Sequence, residues 1–211
     1  MTEIDPYEYP IYPHAYLNRA RALLMEGNAQ SIFYAAFELR CFLECRQDQY
    51  LEAQREYARS VPNRWKIGAQ GKALAGIFKS EKIQYVAWYV EDELIFDVYH
   101  IPVSDELRDR VEKLGTLLHS QKTWRDPGDE WWNETRKNLV ETFELAWLCS
   151  RGMLLSPLFL HEGKTVGKFA ISCDNDIREK IIAFMKIGST GIMKVDYLEV
   201  LPEDWKSDLV V

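Results

Sequence analysis

Histidine is scarce in this chain: His14, His100, His119 and His161 are the only four among 211 residues. None stands in an HExxH pair, and GxSxG, GxxxxGK[ST] and GxGxxG are all absent. The sequence therefore holds no preassembled zinc-hydrolase helix, nucleophile elbow, P-loop or dinucleotide fingerprint. The glycines of IGAQGKALAG (Gly68, Gly71, Gly76) come nearest to a phosphate loop, but no strand precedes them. Cysteine is equally sparse. Cys41, Cys45, Cys149 and Cys173 lie in apolar contexts without a CxxC pair. Cys41 and Cys45 share a helix face, which is half of a zinc site with no second half, so buried free thiols are expected, with no metal, no disulfide and no cofactor. No apolar run approaches the ~18 residues of a membrane span, and the first residues lack a charged–apolar–small leader pattern. A cytoplasmic chain without a membrane span is expected. Positive charge is in deficit: 26 Lys and Arg face 33 Asp and Glu, a net charge of −7. Nucleic acid is disfavoured as a partner unless a local basic patch exists.

Apolar and aromatic residues are plentiful, at 47% and 13%, which is a globular composition. They concentrate in NAQSIFYAAFELRCFLECRQDQYLEAQREYA, residues 28–58, which the spacing predicts to be one long central helix. At 100° per residue Ile32, Ala36, Leu39, Leu43, Tyr50 and Tyr57 form a single persistent stripe, the expected core face. Before Gln47 a second apolar surface appears, with Phe33, Phe37 and Cys41 on one side and Tyr34, Phe42 and Cys45 on the other. A helix apolar all round is enclosed by its own bundle or covered by a second subunit. Beyond Arg46 the far side carries Asp48, Glu52, Arg55 and Glu56. The N-terminal half is thus expected to be enclosed and the C-terminal half solvated.

Three charges interrupt the apolar half: Glu38, Arg40 and Glu44. Arg40 and Glu44 are four residues apart and suited to pairing along the helix. Glu38 points toward Tyr34, Phe42 and Cys45. Buried charges must be paired, so these residues read either as a structural ion-pair network or as the polar lining of a cleft or dimer interface. With His119, at the end of an apolar stretch, they form the candidate polar cluster; for His119 the competing role is capping at a helix C-terminus.

The rest of the chain fits around this helix. The N-terminal arm, with Pro6, Pro10 and Pro13 among four tyrosines up to Tyr16, is denied a helix and is expected to pack along the surface. A short helix over about 14–26 ends at Gly27, and Asn28 caps the central helix, giving an antiparallel pair. Residues 63–79 carry helical spacing. IQYVAWYV and LIFDVYHI flank EDE as a β-hairpin, about residues 83–101, inserted between helices. Ser104 caps a helix predicted to run to about His119. TWRDPGDE is a loop, and the last long helix spans about 129–152. After Ser156-Pro157 the pattern becomes a strand over 165–172, a helix capped by Asp174 and a strand over 192–201. The expected fold is mainly α: a helical bundle over residues 1–160 with the inserted hairpin, and a small strand–helix–strand appendage over 161–211 docked on it.

A short helix ending LLMEGN, followed by SIFYAAFELRCFLE, resembles the start of HEPN-type domains over roughly residues 14–155. The resemblance implies a helical bundle, often dimeric, in bacterial toxin–antitoxin and phage-defence systems, where many members are metal-independent ribonucleases. Their signature is an arginine, four to six residues, and a histidine at a dimer cleft. Here Arg110 stands eight intervening residues before His119, and Arg151 nine before His161. The ribonuclease pair is therefore not carried over onto any position, and the resemblance points to the family's non-catalytic branch. The leading expectation is an interaction module, homodimeric or with a protein partner. The rivals are a divergent ribonuclease using Glu38, Arg40 or Glu44 with His119, and a small-ligand site inside the bundle.

Overall fold

A computed structural model describes residues 9–55, 61–78, 82–154, 159–161, 164–166, 175–187 and 191–206. The protein is mainly helical with a small antiparallel sheet. Helix α1 (Pro13–Glu26) begins with a proline, whose fixed φ suits the first turn, and ends at Gly27 (φ 64). Asn28 follows at once and accepts a hydrogen bond from Ser31 N–H, starting helix α2 (Ala29–Ala53). The two-residue link forces α1 and α2 antiparallel. At 25 residues, α2 extends about 37 Å. Its stripe of Ile32, Ala36, Leu39, Leu43 and Tyr50 is at most 2% exposed. The helix closes at Gln54, a few residues before the expected end, and Tyr57 lies outside the described residues.

Helix α3 (Ile67–Ile77) buries Ile67, Leu74 and Ile77. Strands β1 (Ile83–Val90) and β2 (Glu93–His100) form the hairpin, closed by Glu91 and Asp92, both at positive φ (51 and 65). Two left-handed residues in a two-residue loop match the twist of the strands. Helix α4 (Asp105–Leu114), capped by Ser104, gives way to a 3₁₀ turn over Gly115–Leu117. It does not reach His119, because Gly115 and Thr116 loosen the last turn. Helix α5 (Glu130–Arg151) is capped by Asp129 and buries Leu139, Phe143 and Ala146 against α1 and α2.

The C-terminal segment carries strand, helix and strand in the expected order, with one further short strand ahead of them. A short hairpin pairs β3 (Phe159–His161) with β4 (Lys164–Val166), and helix α6 (Asn175–Ile187) follows. Residues 167–174, including most of the expected strand over 165–172 and the Asp174 cap, lie outside the described residues. Strand β5 (Gly191–Leu198) pairs antiparallel with β1 along its whole length, giving the order β2-β1-β5. The inserted hairpin and the chain's last strand are thus one sheet. A lone hairpin is marginal in water, and a third strand supplies the missing ladder. Its face carries a small core of Val90, Ile95 and Phe96.

A sealed polar knot joins sheet to bundle. Arg46, 5% exposed, donates to the carbonyls of Cys149 (2.9 Å) and Gly152, and to the Tyr50 hydroxyl (3.2 Å). A guanidinium at the end of α5 answers the carbonyls that the helix leaves open. Tyr50 Oη donates to the Ile101 carbonyl, His100 Nδ1 lies 2.9 Å from the Met153 carbonyl, and Met153 N–H donates to the Tyr99 carbonyl at 2.7 Å. Gly152 is required here: a Cβ would lie 2.6 Å from Ile101 N. Arg46 and Gln47 are therefore buried, while beyond them the far side of α2 opens to solvent as expected, with Asp48 partly exposed and Glu52 and Arg55 exposed.

Candidate functional site

The N-terminal half of α2 is the half left open. Tyr34 is 52% and Phe37 47% exposed, although both belong to the second apolar surface expected to be enclosed. Geometry explains this. Ile32, Ala36 and Leu39 turn inward against α1 and α5, and among the described residues no further helix covers the opposite side. What remains is a groove of about 730 Å³ between α1, α2 and the 3₁₀ turn. Leu23, Phe33, Tyr34, Phe37, Leu117 and Leu118 form its apolar walls, and Tyr9, Arg19 and Glu38 its polar end.

Glu38, 6% exposed, faces Arg19, with Oε2 2.9 Å from Nη2, and accepts a 2.9 Å hydrogen bond from the Tyr9 hydroxyl. Arg19 also donates to the Pro10 carbonyl at 2.9 Å, and its guanidinium lies 3.9 Å from the Tyr9 ring centroid and 4.8 Å from that of Tyr16. The described part of the N-terminal arm, from Tyr9 onward, thus packs on the bundle and completes the polar end, while residues 1–8 lie outside the described residues. Burial, then the neighbouring Glu38 carboxylate, pushes the Tyr9 hydroxyl above its ordinary range. This is a neutralised trio, with each formal charge answered by another.

Arg40 and Glu44 form the predicted pair, Nε to Oε1 at 2.9 Å, on a separate stretch of α2. They are 29% and 17% exposed, and Arg40 Nη1 reaches toward Gly115. The Cys41 thiol between them and Glu38 is pushed up to about 11, chiefly by burial and then by the Glu44 and Glu38 carboxylates. It is a protonated packing group rather than a nucleophile at neutral pH. His119 is exposed, its carbonyl accepting from Gln121 Nε2 at 2.9 Å. Standing five residues beyond α4, it does not cap that helix. Among the described residues no hydrogen bond or ion pair joins its ring to Glu38, Arg40 or Glu44. The four candidates therefore resolve into the Arg19–Glu38–Tyr9 trio, the Arg40–Glu44 pair and a separate histidine. Arg19 was missed because no acidic residue stands three or four positions from it, its partner Glu38 lying on another helix, and Tyr9 because it stands in the arm ahead of α1.

A second cleft, of about 950 Å³, lies between α4 and α5. It is polar, and its Arg110 is held by Glu106 (3.0 Å) and Glu141 (2.9 Å). Among the described residues Cys41, Cys45 and Cys149 are free thiols, and no group of three or more His, Cys, Asp and Glu side chains is placed to hold a metal ion. Cys173 lies outside them. No described helix is long and apolar enough to cross a membrane. No protein-family model, curated protein or solved structure matches this chain.

Proposed function

We propose that this chain is a non-catalytic interaction module that self-associates through the α1/α2 face, in the manner that its HEPN-like sequence features imply for a cytoplasmic bacterial toxin–antitoxin or defence component. The observation that carries the reading is the open apolar face of α2. Tyr34 and Phe37 stand about half exposed on the rim of a groove whose buried carboxylate, Glu38, is already paired with Arg19, while an exposed Glu26 also lines it. Contiguous apolar surface of this kind on a folded domain marks an interaction site. A second copy is the occupant in this proposal. The same face on each partner makes a closed two-fold contact, and the internal Arg19–Glu38 pair enters it already matched.

Light scattering coupled to size-exclusion chromatography tests the proposal. Wild type elutes with twice the chain mass at micromolar concentration, and Phe37→Asp, which places a charge on the apolar rim, elutes with the mass of one chain. A wild type of single-chain mass at 100 μM contradicts the proposal. The ribonuclease rival is tested with mixed-sequence RNA in the presence of a chelator. Cleavage by wild type that disappears in folded Arg40→Ala or His119→Ala would replace this reading with the enzymatic one.

A further inference from the structure

The loop between the 3₁₀ turn and α5 folds against the start of α2 and encloses a third cleft, of about 600 Å³. Four aromatic rings line it: Phe33, Trp124, Trp131 and Trp132. Phe33 and Trp131 each meet Trp132 edge-on, at 6.1 Å and 84° and at 4.9 Å and 79°. The inner rings are fixed in place, with Trp132 Nε1 donating to the Asp126 carbonyl at 2.9 Å. Trp124 is different. It is 85% exposed, and its Nε1 makes a long 3.4 Å contact to Asp126 Oδ1. A large indole standing in water beside three packed rings has both faces available for stacking.

The polar lining defines what stacks there. Gln121, Thr123 and Asn133 present amide and hydroxyl groups. The Gln121 NH₂ group is committed to the Thr116 and His119 carbonyls, which leaves its carbonyl oxygen as an acceptor of fixed direction. Among the described residues Arg125 is the one charged residue in the lining. Its guanidinium lies 5.1 Å from the Trp131 centroid and 3.7 Å from Asp129 Oδ2, so its charge is already met. Asp126 and Glu130 add further negative charge nearby, and the chain carries −7 overall. The environment disfavours a phosphate, while Arg125 disfavours a fixed cation in the cleft.

We infer that this cleft binds an uncharged planar heteroaromatic of purine size, a free base or nucleoside lacking a phosphate, stacked on Trp124. Its volume lies within the range of small-molecule sites, and stacking supplies affinity while the amides read the edge of the ring. The site lies at the rim of the bundle rather than inside it and does not depend on self-association.

Tryptophan fluorescence and calorimetric titration of the full chain with adenosine, guanosine, adenosine 5′-monophosphate, choline and a short single-stranded oligonucleotide test the inference. A purine nucleoside binds saturably, and the monophosphate at least ten-fold more weakly. Trp124→Ala, which removes an exposed ring and leaves the melting temperature unchanged, weakens nucleoside binding by about 5- to 150-fold, the range set by the loss of one stacking partner. Trp124→Tyr recovers most of it. Absence of saturation by either nucleoside at millimolar concentration overturns the inference, as does equal affinity in Trp124→Ala. Tighter binding of the monophosphate or the oligonucleotide would make this an anion site, and tighter binding of choline a cation site; either result overturns the neutral-ligand assignment.

Discussion

The two halves of α2 bury charge in opposite ways. In the C-terminal half, Arg46 is sealed among backbone carbonyls from α5 and has no carboxylate partner among its hydrogen bonds. In the N-terminal half, Glu38 meets a full counter-charge, Arg19, at the end of an open groove. The sealed site satisfies carbonyls that are fixed by the fold and accessible to nothing else. The open site holds a pair that neutralises itself while the apolar side chains beside it stay uncovered. One half of the helix therefore fastens sheet to bundle, and the other keeps the uncovered apolar face proposed to take a second copy.

The largest way to break this contrast is Arg46→Ala. It strands the carbonyl of Gly152 in a dry interior, leaves that of Cys149 only its long contact from Gly152 N–H, and removes charge-assisted hydrogen bonds. Denaturant unfolding should show a loss of about 3 kcal/mol or more. A loss below about 1 kcal/mol would mean that the knot does not hold the two parts together.

His100 makes the same knot sensitive to pH. Burial, with Arg46 nearby, holds its imidazole at about 4, below the ordinary 6.5. A folded-state value depressed below the unfolded one means that the folded chain binds fewer protons. The stabilisation is therefore complete above pH 6.5 and is lost as pH falls from 6.5 toward 4. Across that window the loss amounts to about 3 kcal/mol. His14, also lowered by burial, contributes in the same direction. The measurement is therefore the difference in stability between wild type and His100→Phe, whose ring keeps the contacts with Tyr50 and Phe78. A difference that does not vary between pH 7 and 4.5 refutes the neutral, buried role.

In the open half the effects shrink. Glu38→Gln keeps an acceptor for Tyr9 but strips Arg19 of its counter-charge, and should cost about 1–2 kcal/mol. Arg40→Ala breaks a half-exposed pair along the helix and should cost under about 1 kcal/mol. His119→Ala should stay within ~0.5 kcal/mol, since the ring is exposed.

Much of this fold was legible locally. The Asn28, Ser104 and Asp129 caps, the Gly27 stop and the stripe from Ile32 to Tyr50 each follow from neighbours within one or two helical turns. The contacts that define the two halves do not. Arg46 reaches carbonyls 103 and 106 residues away, and β5 finds β1 across more than 100 residues. No periodicity encodes those meetings. Arg46 looked like the start of a polar surface because composition changes there, although the carbonyl end of α5 supplies the solvent-like partners. Glu38, Arg40, Glu44 and His119 were recognisable as polar interruptions of an apolar surface. Their separation into a trio, a pair and a lone ring depends on Arg19 and the Tyr9 arm, which only the packed chain brings alongside.

The most direct test of the central claim measures mass and stability together for Phe37→Asp and Arg46→Ala. Equilibrium sedimentation gives the mass; urea unfolding, at a dilution where wild type is monomeric, gives the stability. A crossover is predicted: Phe37→Asp abolishes the dimer with a change in monomer stability within about 0.5 kcal/mol, whereas Arg46→Ala loses about 3 kcal/mol or more and, where folded, still dimerises. Equal losses of stability in the two variants, with wild-type mass unchanged by Phe37→Asp, would contradict the division of the helix into a fastening half and an open one.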